Sequence, residues 1–128
     1  MSQTPSKPDL FLVKPNNPDI MLTPSEREFF HSITAKLLYL SKRSRPDILT
    51  QVAFLTKRVT KPQREDFKKL ERTVQYIRNT RDLGLTLEID TPMTVKCYVD
   101  ASHGVHQDMK SHTGCVITLG KGAIYAKS

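Results

Sequence analysis

The spacing of apolar positions divides the chain into a helical part and a strand-rich part. Between residues 23 and 79, apolar side chains recur every three or four positions, which is the period of an amphipathic helix. The three stripes are Phe30, Ile33, Leu37 and Leu40; Ile48, Val52, Leu55 and Val59; and Phe67, Leu70, Val74 and Ile77. We therefore predict helices from residue 24 to about 42, over 46–59, and from beyond Pro62 to about Asn79, packed together through these stripes.

Local signals support the starts of these helices. The Thr23 hydroxyl can accept from the Glu26 amide while the Glu26 carboxylate reaches back, and Pro24 suits the first helical turn. Pro46 and Pro62 precede the second and third helices, because the residue before a proline is pushed out of the helical region.

Residues 1–22 differ from this helical pattern because they hold four of the eight prolines. We predict an extended leader with at most short strands at Leu10–Val13 and Ile20–Leu22. We expect this leader to lie on other protein or to be mobile.

Beyond residue 83 the apolar pattern becomes that of strands. Leu85, Leu87 and Ile89 alternate with polar residues, as in a half-buried strand. The other strands predicted are Met93–Val99, which delivers Asp100 at its end, then Cys115–Leu119 and Ala123–Lys127. Helices followed by antiparallel strands predict the α+β class, with a leader over 1–22, a three-helix segment over 23–82 and a strand-rich part over 83–128.

Charge is concentrated on the helical segment. Residues 1–22 carry two basic and two acidic groups, residues 23–82 fourteen and seven, and residues 83–128 four and four, so the formal charge of +7 belongs to the helices. A basic helical surface attracts polyanions whatever their base sequence. The candidate nucleic-acid contacts on the third helix are Arg64, Lys68, Arg72 and Arg78. A solvated Lys- and Arg-rich face is an equally good reading of the charge alone.

The sequence has neither the features of a membrane-spanning protein nor those of a secreted one. Its wholly apolar runs are too short to span a bilayer, and the N-terminal residues lack the apolar core of a secretory signal. We expect a cytoplasmic or nuclear protein without a membrane partner.

The two cysteines do not form a disulfide framework. Cys97 and Cys115 lie in strand-like runs, which favours reduced, buried thiols. A zinc site with His103, His106 and His112 is the alternative, although the spacing lacks the paired short knuckle of structural zinc sites.

Five short motifs follow one another between residues 24 and 128. They are the run from Phe30 to Leu40 with Leu37-Leu38-Tyr39-Leu40, Arg45-Pro46-Asp47-Ile48, Lys61-Pro62 with Tyr76-Ile77, Leu83-Gly84-Leu85, and Tyr98-x-Asp100-Ala101 with Asp108-x-Lys110-Ser111-x-Thr113-Gly114. In this order and spacing the chain resembles the end of the reverse transcriptase of copia-type retrotransposons, followed by the start of the ribonuclease H domain. Ala35 departs from the family pattern, which has a glycine there.

The resemblance implies a partial, antiparallel ribonuclease H-like sheet after the helices. In that family several carboxylates hold two divalent cations about 4 Å apart. Asp100 matches the first of these ligands and is the candidate catalytic and Mg²⁺-binding residue, whereas Asp108 is more typical of a turn-former. The other carboxylates would come after Ser128 and the polymerase aspartates before Met1, so the resemblance implies an incomplete active site.

The function implied is therefore an inherited role in reverse transcription and in degradation of the RNA strand of RNA–DNA hybrids, and we expect this chain to be inactive by itself. The partners implied are an RNA–DNA hybrid or another nucleic acid and the remainder of the Pol polyprotein. Two alternatives stay open: a small non-catalytic nucleic-acid-binding module, and a fragment that does not fold alone because its sheet has an open edge.

Overall fold

The predicted order of helices and strands is confirmed. The computed structural model describes residues 3–15, 17–102 and 111–128, and three α-helices lie within these ranges. They are α1 (Pro24–Arg43), α2 (Leu49–Thr56) and α3 (Arg64–Asn79). α2 is shorter than the predicted 46–59, because Pro46–Ile48 forms a 3-10 turn and the amides of Lys57 and Arg58 bond to carbonyls only three residues back.

Both longer helices begin at a reciprocal cap. At α1 the Glu26 amide donates to Thr23 Oγ1 over 3.3 Å and the Thr23 amide donates to Glu26 Oε2 over 2.9 Å, which confirms the predicted capping box. At α3 the buried Asp66 carboxylate accepts from the Gln63 amide over 2.8 Å and from Arg58 Nε over 3.0 Å. This second cap therefore also ties α3 to the chain that follows α2.

The core lies where the three helices meet. Phe30, Ile48, Val52 and Leu55 are completely buried there, as their stripes predict. The stripe on α3 is only partly covered, since Val74 remains 42% exposed, whereas Tyr76, outside the predicted stripe, is buried.

The leader is packed against α3 rather than extended away from it. Leu10 enters the helical core, and Lys69 Nζ donates to the Leu10 and Leu12 carbonyls over 2.8 and 2.7 Å. Gln63 Nε2 likewise donates to the Lys14 carbonyl over 2.8 Å. No strand forms at Leu10–Val13, where we predicted at most a short one, because the chain turns there: the Leu10 and Leu12 amides donate to the Lys7 and Asp9 carbonyls.

The short strand predicted at Ile20–Leu22 is likewise reduced, at the end of the leader, to a single bridge. Pro18–Ile20 forms a 3-10 turn, and Met21 makes a single antiparallel bridge to Gln63.

Two antiparallel sheets follow the helices, so the α+β class is confirmed. β1 (Glu88–Ile89) pairs with β4 (Gly120–Lys121). β2 (Lys96–Ser102), β3 (His112–Thr118) and β5 (Tyr125–Lys127) form a sheet in the order β2-β3-β5. The predicted strand from Leu85 shrinks to β1, because its partner β4 is only two residues long.

The turn after β4 brings backbone close to backbone. Gly122 has a φ of 76°, and a side chain there would collide with the Thr86 carbonyl. Because Gly122 has no side chain, the segment before β1 can pack closely against this turn.

None of the helices in the described ranges is both long and apolar enough to cross a lipid bilayer.

Candidate nucleic-acid interface

A groove separates the helices from the three-stranded sheet. It consists of two adjoining cavities of about 470 and 610 Å³, which share Leu49, Ala126, Lys127 and Ser128 as lining residues. One wall comes from α1, α2 and the turn before α2, and the other from β2, β3 and β5. We refer to it as the helix–sheet groove.

Asp100 lies at one end of the helix–sheet groove. It stands within β2, directly opposite Gly114 on β3, and its side chain is exposed rather than buried in an apolar interior. Because side chains alternate along a strand, Asp100 shares its face of the sheet with Tyr98, Ser102 and His112. β2 continues two residues beyond Asp100, so the predicted end of this strand was too early.

Asp100 is the carboxylate that lines the groove among the described residues. These residues bring no three potential metal-ligating side chains together anywhere, so they do not form the two-cation clamp of the ribonuclease H family. Asp108 lies outside the described residues. Magnesium binding therefore stays a prediction of the resemblance.

The predicted zinc ligands are distributed over two faces of the sheet. Positions 112 and 115 are an odd number of residues apart on β3, so His112 and Cys115 point to opposite faces. His112 Nε2 instead lies 2.7 Å from Ser128 Oγ in a hydrogen bond. Cys97 is exposed and Cys115 half-buried, so the expectation of buried thiols is wrong, and His103 and His106 lie outside the described residues.

The other end of the groove is lined by cationic side chains. These are Lys42 and Arg43 at the end of α1, Lys57 just after α2, and Lys127 on β5, and no carboxylate lines this cavity. Within the described residues Lys42, Arg43 and Lys127 form no ion pair, while the Arg43 guanidinium lies 5.3 Å from the centre of the Tyr39 ring. A polyanion entering here would meet the positive charges of Lys42 and Arg43, which form no ion pair within the part of the chain that the structure describes.

The cations predicted from α3 are placed differently. Arg64 lies 3.7 Å from a Glu26 oxygen, Lys68 Nζ donates to Glu65 over 3.1 Å, and Arg72 Nη2 donates to Thr4 Oγ1 over 3.0 Å. Arg78 is exposed in the last turn. None of the four lines the groove that holds Asp100, and three of them already interact within the chain.

Sequence reasoning missed the cations of the groove because they come from separate elements. The adjacent pair Lys42 and Arg43 was visible as a basic helix end, but its proximity to Lys127 exists only in the folded chain. Counting charge along the sequence identifies basic segments and does not show which cations share a surface.

A buried polar network positions the helical wall of the groove. Arg45 Nε and Nη2 donate to the Asp47 carboxylate over 3.0 and 2.9 Å, and Arg45 also donates to the carbonyl and hydroxyl of Thr80. Tyr76 completes the network by donating to Asp47 over 2.8 Å. Pro46, between the two charged residues, lines the groove itself, so this motif connects the wall to α3.

The network also sets the protonation of its members. The Arg45 hydrogen bonds, with a smaller contribution from the Tyr76 hydroxyl, lower the pKa of Asp47 despite its partial burial. The hydrogen bond to Asp47 in turn raises the pKa of Tyr76. Asp47 is therefore an ionised anchor for the Arg45 guanidinium.

Two known proteins are similar to this chain over most of its length. One is a putative transposon Ty5-1 protein of Saccharomyces cerevisiae, 32% identical over 126 residues that cover 96% of this chain and 39% of the yeast protein. The other is an uncharacterized mitochondrial protein of Arabidopsis thaliana, 32% identical over 92 residues that cover 71% of this chain and 38% of the plant protein. No protein-family model and no solved structure matches significantly. The chain spans about two fifths of each relative.

Proposed function

This chain belongs to the copia-type retrotransposon proteins, and we propose that it holds the phosphate backbone of a nucleic acid along the helix–sheet groove. The observation that carries the proposal is the distribution of charge: several cations line one end of the groove, and a single described carboxylate, Asp100, stands at the other. Contacts of this kind recognise phosphates irrespective of base sequence.

An RNA–DNA hybrid is the nucleic acid we propose, because Asp100, which lines the groove, matches the first ribonuclease H ligand in the resemblance. Lys42 and Arg43, both at the end of α1, can contact phosphates at this end of the groove. A backbone held in this way runs past Ser128 and Gly114 towards Asp100. The groove thus guides one strand to the position that matches the first ribonuclease H ligand.

The chain's own part in reverse transcription and RNA-strand degradation is, in this proposal, binding rather than chemistry. One carboxylate cannot hold two cations, so the remaining ligands must come from the remainder of a Pol polyprotein, which is the second partner we propose. We place both partners in the cytoplasm or the nucleus, away from membranes.

A non-catalytic nucleic-acid-binding module is the second candidate function. It is favoured by the cations on the helical wall of the groove, which can hold phosphates without any metal ion. Both functions use the same groove. They differ only in whether further metal-binding carboxylates from the rest of the polyprotein join Asp100.

The test compares two pairs of cations that carry the same charge. Lys42→Gln with Arg43→Gln removes two groove cations, and Arg64→Gln with Lys68→Gln removes two cations of α3 that are already paired with carboxylates. For binding to an RNA–DNA hybrid, we expect the groove pair to reduce the magnitude of the slope of log K against log salt by roughly 1.4–1.8, since each lost phosphate contact removes about 0.7–0.9. The α3 pair should change it much less.

Asp100→Asn supplies a control of opposite sign. Removing a negative charge beside the bound backbone should tighten binding of the hybrid. Circular dichroism checks that all of these variants are folded. Equal losses from both double variants, or a larger loss from the α3 pair, would move the interface from the helix–sheet groove to α3.

A further inference from the structure

The two cysteines form a pair on the sheet face opposite to Asp100. Cys97 on β2 is paired with Ile117, and Cys115 on β3 is paired with Val99, so the two thiols are diagonal neighbours. Both occupy odd-numbered positions of the register, whereas Asp100 and His112 occupy even-numbered ones. Their sulfur atoms lie 3.7 Å apart, and Cys97 is exposed to solvent.

This separation suits a shared ligand better than a direct bond. A disulfide requires a sulfur–sulfur distance of about 2.0 Å and closely spaced Cβ atoms. Diagonal positions on neighbouring strands are wider than directly opposite ones. Two thiolates at about 2.3 Å from one tetrahedral zinc ion are about 3.8 Å apart, which is close to the 3.7 Å observed.

We propose that Cys97 and Cys115 form a two-thiolate binding site for a thiophilic divalent cation of the zinc type. The remaining coordination positions are left to water or other small ligands. Soft thiolate donors favour such ions over magnesium, so this site is chemically distinct from Asp100.

Binding at this site exchanges protons for the ion. Each thiol releases one proton to solvent, two sulfur–metal bonds form, the ion loses two waters, and no group is oxidised or reduced. Uptake should therefore become tighter as the pH rises.

A bound ion would connect β2 and β3 next to the groove. Cys97 lies three residues before Asp100, and Cys115 directly follows Gly114, the residue paired with Asp100. The ion would thereby hold the register that places Asp100 in the helix–sheet groove.

The test is a titration of the full chain with Cd²⁺, whose thiolate bonds absorb in the ultraviolet. The thiols are kept reduced with a phosphine, and Zn²⁺ is used in competition. We expect one ion per chain and two protons released. Cys97→Ser and Cys115→Ser should each weaken binding by roughly a hundredfold or more, since even changes behind the ligands cost up to that much.

His112→Ala is the matched control, because His112 lies on the other face and should leave Cd²⁺ binding unchanged. Circular dichroism of each serine variant checks that the sheet is retained. Absence of the thiolate absorption band, full binding by either serine variant, or loss of binding in His112→Ala would each overturn the proposal.

Discussion

The helices and the three-stranded sheet differ in how much of their side-chain surface is buried. Phe30, Ile48 and Leu55 have no exposed surface at all, whereas every residue of β2 is exposed. The helices therefore specify their packing through buried side chains, while the sheet depends on its hydrogen-bond ladder and on a few close backbone contacts. The two parts should respond differently to the same substitution.

The largest contrast is expected from removing one leucine from the helical core and one from the segment just before β1, in the strand-rich part. Leu55→Ala empties space in the helical core, where Leu55 is 0% exposed, and should cost about 3 kcal/mol of unfolding free energy. Leu87→Ala removes a side chain that is 58% exposed and should cost less than about 1 kcal/mol. Urea unfolding followed by helical circular dichroism measures both. Similar losses would show that the two parts are buried to a similar degree in solution.

A smaller effect is expected from the polar network of the helices. Asp47→Asn keeps the shape of the side chain but weakens the Arg45 contact, and it should cost about 1–2 kcal/mol because the carboxylate is still partly exposed. Since folding lowers the pKa of Asp47, the stabilisation is present above the ordinary value of about 4 and is lost as the pH falls through the lowered one.

The pH dependence of unfolding between neutral and strongly acidic solution checks this assignment. Asp47→Asn should flatten it, and Tyr76→Phe, which removes one donor, should cost about 1 kcal/mol. An unchanged acid dependence in Asp47→Asn would place the responsible carboxylate elsewhere.

The most local effect should be confined to the strand-rich part. Gly122→Ala forces a side chain into the left-handed region and against the Thr86 carbonyl, so it should cost about 1–2 kcal/mol. Gly84→Ala meets no atom within 4 Å and should be neutral or stabilising by about 0.5 kcal/mol. Hydrogen exchange at Leu87 and Ile89 should accelerate only in the first variant. Faster exchange in both would mean that the tight turn does not hold this segment.

The contrast between the buried helices and the exposed sheet also explains which parts of the fold could be predicted from the sequence. Helix positions, the Thr23 cap and the α+β order follow from local patterns, and all three are confirmed. The position of the leader could not be predicted, because Lys69 reaches carbonyls nearly sixty residues earlier in the chain. Strand bounds were less accurate than the bounds of α1 and α3, since each strand ends where its partner ends.

The candidate site was predicted in part. Asp100 was identified from its strand and lies exposed in a groove, while its role as a metal ligand stays a prediction. The cations on α3 were chosen by charge and helical face, and neither reveals that Arg64 and Lys68 lie beside carboxylates. Lys127 drew no attention because the strand-rich part has no net charge of its own.

The strand order has a consequence for self-association. In the described sheet β2 has β3 on one side only, so the backbone groups on its other side are open to an incoming strand. A strand from any source that adds there would lie immediately beside Asp100. At high protein concentration, edge-to-edge pairing of β2 strands from different molecules should therefore block access to the groove.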